Sequence, residues 1–207
     1  MLDAFDPAPN DDISAIAAQP DGTFLVGGRF SAIAGVNRTC IARFDQMGVL
    51  DAQFNPSISS PPVFGGIFSM AVQTDGKILV GGVFGAINGI VRNNLARLNQ
   101  DGSLDTGFNP NIQGGFLATV YSVAIQRDGK IVIGGQFASV RGVARSNVAR
   151  LNANGSLDTS FNPGTDGDVY SIGLQSDGKV VMGGYFESVG GQTRNHIARL
   201  TPDGSLV

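Results

Sequence analysis

Short apolar runs separated by glycine-containing turns recur along the chain, and the third set shows the pattern most plainly. Residues 120–126 (VYSVAIQ) are β-branched, aromatic or small at almost every position, as in a strand with two buried faces. Arg127, Asp128 and Gly129 form a turn, and residues 130–137 (KIVIGGQF) read as a second strand. A connection over 138–144 leads to a third strand over 145–152 (RSNVARLN). Ala153, Asn154 and Gly155 then turn the chain into a fourth over 156–162 (SLDTSFN). Three-residue hairpin loops commonly need glycine in a left-handed conformation, and both turns supply it last. The unit is predicted to be a four-stranded antiparallel meander.

This unit occurs four times. Gln19, Gln73, Gln126 and Gln175 each open a Gln-x-Asp-Gly turn, and Phe30, Phe84, Phe137 and Phe186 each close a Gly-Gly-x-Phe motif. Arg43, Arg97, Arg150 and Arg199 keep the same spacing inside Ala-Arg-Leu or Ala-Arg-Phe, and Phe-Asn-Pro ends the first three units at Phe54, Phe108 and Phe161. A self-similar period near fifty residues is the mark of a repeat architecture. The first strands of units two, three and four carry a large set (Phe68, Met70, Val72; Tyr121, Val123, Ile125; Tyr170, Ile172, Leu174) alternating with a small one (Ser69, Ala71; Ser122, Ala124; Ser171, Gly173). A sheet that is large on one face and small on the other can stack on a copy of itself. Radial stacking of such sheets is the propeller solution, which leaves only short edges exposed.

The residues 73–84 (QTDGKILVGGVF) and 94–110 (NLARLNQDGSLDTGFNP) carry a pattern that resembles the delta-60 repeat family of bacterial β-propellers, and the resemblance covers nearly the whole chain. It implies an all-β propeller of four blades and extracellular or cell-surface placement within larger proteins. It implies no single activity, because fold and function separate.

The expected domain is a single propeller over 1–207. Residues 8–56, 57–110, 111–163 and 164–207 form blades 1 to 4, and residues 1–7 form a closing strand of blade 4. Leu2-Asp3-Ala4-Phe5-Asp6-Pro7 reads like a fourth strand with no unit before it. Counting across the turns, Arg43, Arg97 and Arg150 face Asp51, Asp105 and Asp158. Arg199 faces Val207, and Asp3 is the expected substitute partner. An array cut from a longer one, or a dimer with an eight-bladed ring, are the alternatives. The chain is expected to be a monomer if the four-bladed ring closes on itself, and a dimer is possible.

Composition narrows the partners. Net charge is −3 without a basic block, which argues against nucleic acid, and no apolar run is long enough to span a membrane as a helix. Cys40 is the only cysteine, so cysteine usage carries no compartment signal. The N-terminus lacks the basic and apolar regions of a signal peptide.

Candidate chemistry is sparse. Cys40 and His196 occupy one repeat slot, filled elsewhere by Asn94 and Asn147, so neither is expected to be catalytic and no cofactor is implied. Eleven of the fourteen lysines and arginines sit in repeating slots, leaving Arg29, Arg127 and Arg141. The connections over 8–12, 57–66, 111–119 and 164–168 vary most and should share one face with the loops between second and third strands. Val63, Phe64, Phe116 and Leu117 there are candidates for binding a protein or glycan partner. Asp11, Asp12, Asp166 and Asp168 are candidates for calcium. The expected function is a non-enzymatic interaction or scaffold module. A purely structural or oligomerisation unit of a larger assembly is the alternative, and a propeller-based hydrolase or lyase a third.

Overall fold

The computed structural model describes residues 5–61, 64–115 and 117–207. Each unit builds an antiparallel sheet in the order first, second, third strand. In blade 1 these are Ile13–Ala18, Phe24–Gly28 and Ile41–Phe44; in blade 2, Gly66–Val72, Ile78–Val83 and Leu95–Leu98. Blade 3 has Thr119–Ile125, Ile131–Gln136 and Val148–Leu151, and blade 4 has Asp168–Leu174, Val180–Tyr185 and Ile197–Leu200. The turns form as the glycine spacing predicts: the Gln126 N–H donates to the Lys130 carbonyl, with Gly129 left-handed at φ 82°.

The fourth strand differs from expectation. It shrinks to one bridge per unit, such as Leu98 to Leu104 and Leu151 to Leu157. The aspartate just after that bridge turns the chain away. Asp105 Oδ1 accepts the Gly107 N–H, and Asp158 Oδ1 accepts the Ser160 N–H. A side chain that binds its own backbone two residues on competes with ladder pairing.

The core lies between blades rather than within them. Ile67 and Met70 of blade 2 pack with Leu25 and Ile41 of blade 1, while Ala71 joins Val120 and Val123 of blade 3. The large face of a first strand thus meets the preceding blade and its small face the following one. The glycines of Gly-Gly-x-Phe make this fit. A Cβ on Gly81 would come within 2.7 Å of the Val120 side chain, and one on Gly82 within 2.0 Å of the Gly66 carbonyl oxygen of its own sheet. Ser69 Oγ accepts the Val123 N–H across the same seam, and Ser122 Oγ accepts the Ile172 N–H across the next.

An arginine locks each seam from outside. Arg97 Nε donates to Asp105 Oδ2 at 2.9 Å, its guanidinium lies 4.5 Å over the Phe108 ring, and Nη1 donates to the Ala153 carbonyl of the next blade. Arg43 and Arg150 repeat all three contacts with Asp51, Phe54 and Gln100, and with Asp158, Phe161 and Pro202. The Arg–Asp pairing therefore follows the sequence count.

The expected closed four-bladed ring is not formed among the described residues. Ile16 is 71% exposed and Ile197 66%, whereas Val123, Leu95 and Val148 in the same slots are covered by a neighbouring blade. Residues 1–4, with Asp3 and most of the expected closing strand, lie outside the described residues. Phe5 packs edge-on against Phe24 and Phe44 of blade 1, with centroids 5.6 and 5.5 Å away.

The slot shared by Cys40, Asn94, Asn147 and His196 is left-handed in all four blades, with φ between 64° and 66°. Asparagine tolerates this conformation best among non-glycine residues. Asn147 also accepts the Phe137 N–H and donates to the Thr165 carbonyl. Asn147→Ala is expected to cost about 1–3 kcal/mol, since it strands both groups. Cys40→Asn should raise stability by about 1 kcal/mol, provided the new side chain makes the bonds seen in blade 3. Urea unfolding of both variants checks this.

The aspartates of the arginine locks also set an acid limit. Burial works against ionisation of Asp158, but hydrogen bonds from Ser160, Lys130 and Arg150 outweigh it and hold the carboxyl well below its ordinary value of 3.8. Asp51 and Asp105 are lowered likewise, against burial, chiefly by Arg43 and by Lys77 with Arg97. Carboxyls that titrate lower folded than unfolded stabilise the fold fully above the unfolded pKa and lose that contribution as pH falls through the folded one. The urea midpoint is expected to fall steeply below about pH 4. Asp158→Asn should flatten that dependence and cost about 3 kcal/mol at neutral pH, because it leaves two cations facing no anion.

Candidate functional site

Three aromatic side chains meet where the first strands begin. Phe68 and Tyr121 stack with centroids 6.1 Å apart, and Tyr121 meets Tyr170 edge-on at 5.3 Å. Each sits at a bulge in its first strand, between Ile67 and Ser69, Val120 and Ser122, and Val169 and Ser171. These residues line a cleft of about 470 Å³ with Ser14, Phe64, Leu117, Arg29, Val83, Thr119 and Gln136. The Arg29 guanidinium lies 5.8 Å from the Phe68 ring centre. Phe64 and Tyr170 are more than half exposed. Partial burial, then the nearby Asp168 charge, pushes the Tyr170 phenol above its ordinary value.

The variable connections do share this end with the loops between second and third strands. Each of those loops is a small hairpin, such as Ala86–Ile87 with Ile90–Val91, and the connection pairs with it: Ile58–Ser59 with Ala86–Ile87, and Ile112–Gln113 with Ser139–Val140. Phe64 and Leu117 come together at the cleft. Val63 and Phe116 lie outside the described residues.

Sequence reasoning missed the rest of the lining. Arg29, Val83, Gln136 and Tyr185 fill the variable position of Gly-Gly-x-Phe, and the first three line the cleft. The signal was available. An otherwise constant motif has one position that carries a cation, an aliphatic, an amide and a phenol in turn. Gln136 also lines neighbouring hollows with Asp166 and with Tyr185 and His196, so the concave end continues toward blade 4.

A family model described as a "Domain of unknown function (DUF5122) beta-propeller" matches residues 19–54, 73–108, 126–161 and 175–206. The chain belongs to this β-propeller family. The first three matched segments run from the turn glutamine to the Phe of Phe-Asn-Pro, so they cover the arginine locks and stop short of the connections. Phe64, Phe68, Leu117, Tyr121 and Tyr170 fall between the matched segments of the DUF5122 propeller. No curated protein matches the chain. A solved structure, that of a protein of unknown function from Bacteroides caccae, is similar at 14% identity and a TM-score of 0.50. The match covers 95% of this chain and 65% of that one, and at this identity it speaks to the fold alone.

Asp166 and Asp168 line one hollow of blade 4, and Asp11 and Asp12 lie on blade 1. Asp166 Oδ1 accepts the Glu187 and Ser188 N–H groups at 2.9 Å, which hold its carboxyl low. Asn10 does the same work in blade 1 for Ser31 and Ala32. Asp11 accepts the Asp12 N–H, and burial raises Asp168. Among the described residues no three acidic, histidine or cysteine side chains form a metal-binding group. Cys40 is buried against Ser60, and His196 is exposed, stacked on Tyr185.

A second hollow, of about 530 Å³, lies at the opposite end between the turns of blades 3 and 4. Gln126, Asp128, Gln175, Asp177 and Gly178 line it, all from slots that recur in every unit. Arg127, Ser176 and Pro202, from variable positions of the turns, complete the lining.

Proposed function

We propose that this propeller is a non-enzymatic interaction module that receives a protein or glycan partner in the aromatic cleft at its loop-bearing end. One observation carries the reading. Residues that break the repeat converge there with a recurring aromatic slot: Phe64 and Leu117 from the connections and Arg29 and Gln136 from the variable slot meet Phe68, Tyr121 and Tyr170 from the bulges. A concave, mostly apolar site with a few polar groups is the usual form of a recognition pocket. Exposed rings suit either the faces of sugars or the side chains of a peptide, and aromatic anchors dominate many interfaces. Placement in a larger surface or secreted assembly rests on the delta-60 resemblance.

The chain has no tryptophan and three tyrosines, two of them in the cleft, so tyrosine emission reports on the site directly. Glycan and peptide arrays would supply binders, and emission titrations their affinities. Tyr121→Ala is expected to weaken binding about tenfold or more, while Arg127→Ala at the opposite end leaves it unchanged. Binding that is indifferent to Tyr121 and Tyr170, or lost with Arg127, would place the site elsewhere.

A further inference from the structure

The two end faces of the arc are halves of the same interface. On blade 4 the groups that elsewhere meet a following blade stand uncovered. Among the described residues, a Cβ on Gly183 would meet no side chain within 4 Å, unlike Gly27, Gly81 and Gly134. Ile197 is 66% exposed, where Ile41, Leu95 and Val148 are fully buried. Ser171 is exposed, where Ser69 and Ser122 each accept an N–H from the next blade. Arg199 is exposed and, among the described residues, lacks the three contacts made by Arg43, Arg97 and Arg150.

Blade 1 presents the other half. Ile13 and Ile16 hold the places of Val120 and Val123 in the bulged register, and Ile16 is 71% exposed. The Gln46 carbonyl holds the place of the Gln100, Ala153 and Pro202 carbonyls that receive the arginines. Phe5 lies on Gly48 as Phe54, Phe108 and Phe161 lie on Gly102, Gly155 and Gly204. It therefore already occupies, on blade 1, the ring position over which a preceding blade's arginine sits.

We infer that blade 4 of one copy docks on blade 1 of a second copy by the interface already repeated within the chain, and that two copies close head-to-tail into one ring. Gly183 receives Ile13 and Ile16 of the second copy, Ser171 Oγ accepts its Ile16 N–H, Ile197 is covered, and Arg199 reaches its Gln46 carbonyl over its Phe5 ring. Ile16, Ser171, Ile197 and Arg199 are exposed in the arc, so docking does not require unfolding to uncover them. A heterologous contact of this kind either closes into a ring or runs on into a filament. Propellers typically carry four to eight blades, and two arcs of four give eight, the largest ring in that range.

The test is solution mass by light scattering and sedimentation over a range of concentrations, with Ile16→Arg and Ile197→Arg. Both positions are exposed in the arc, so each variant should keep the circular dichroism of the folded chain. The wild type is expected at twice 21.4 kDa. Each variant alone should be monomeric, with association weakened at least about a hundredfold. Mixed, the two variants should form a one-to-one complex through the single interface that remains intact, weaker than the wild-type dimer because the ring cannot close. A wild type that is monomeric at all concentrations assigns the faces to another occupant, such as a further repeat, and overturns the proposal. So does a ladder of ever larger species, variants that still dimerise alone, or a mixture that stays monomeric.

Discussion

The fold depends on one arginine contact set, made at each seam between blades. Arg97 neutralises Asp105 in its own unit, covers Phe108, and donates to a backbone carbonyl of the next blade. A guanidinium suits this work, because its planar fork can serve a carboxylate, a ring face and a carbonyl at once, and lysine could not. The site is also largely removed from water: the Arg150 and Asp158 side chains are 7% and 9% exposed. Removing either charge there leaves the other unpaired in poor solvent, so the two must be kept or lost together. Because each arginine points to the following unit, the contact gives the chain a direction. It ties blade 1 to 2, 2 to 3 and 3 to 4, and among the described residues it leaves Arg199 and the Gln46 carbonyl outside such a contact.

The same frame explains where partner recognition can evolve. Gly81, Ser69 and Arg97 fill positions where another residue would collide or leave a buried group unsatisfied. At the cleft, Phe64 and Tyr170 are more than half exposed near the start of the first strands. Arg29, Val83, Gln136 and Tyr185 can differ from blade to blade because only the cleft end, and not the seam, depends on them. Rigid seams and a variable mouth are the usual division between scaffold and site.

Much of this was legible in the sequence. The four units, their turns and the Arg–Asp pairs followed from spacing alone, since a hairpin with a known turn fixes which residues face each other. The connections were correctly grouped at one end, and Phe64 and Leu117 with them. Three things were hidden. The fourth strand reads as a strand by its length and apolar residues, but Asp105 and Asp158 bond to backbone N–H groups two residues on, which composition does not announce. The bulge after Ile67 places Phe68 and Tyr121 at the mouth, where strict alternation had grouped them with Met70 and Val123 at the seam. Ring closure depends on the angle between blades, on which repeat spacing carries no information: among the described residues Ile16 and Ile197 stand uncovered, and residues 1–4 of the expected closing strand lie outside them.

Hydrogen exchange followed by mass spectrometry tests the open arc most directly, at two protein concentrations. In dilute protein the amides of Ile13–Ala18 and Ile197–Leu200 are expected to exchange much faster than those of Thr119–Ile125 and Val148–Leu151, and higher concentration is expected to slow only the end segments. Uniform protection of all four units in dilute protein would contradict the open arc, because blades 1 and 4 would then already cover each other within one chain.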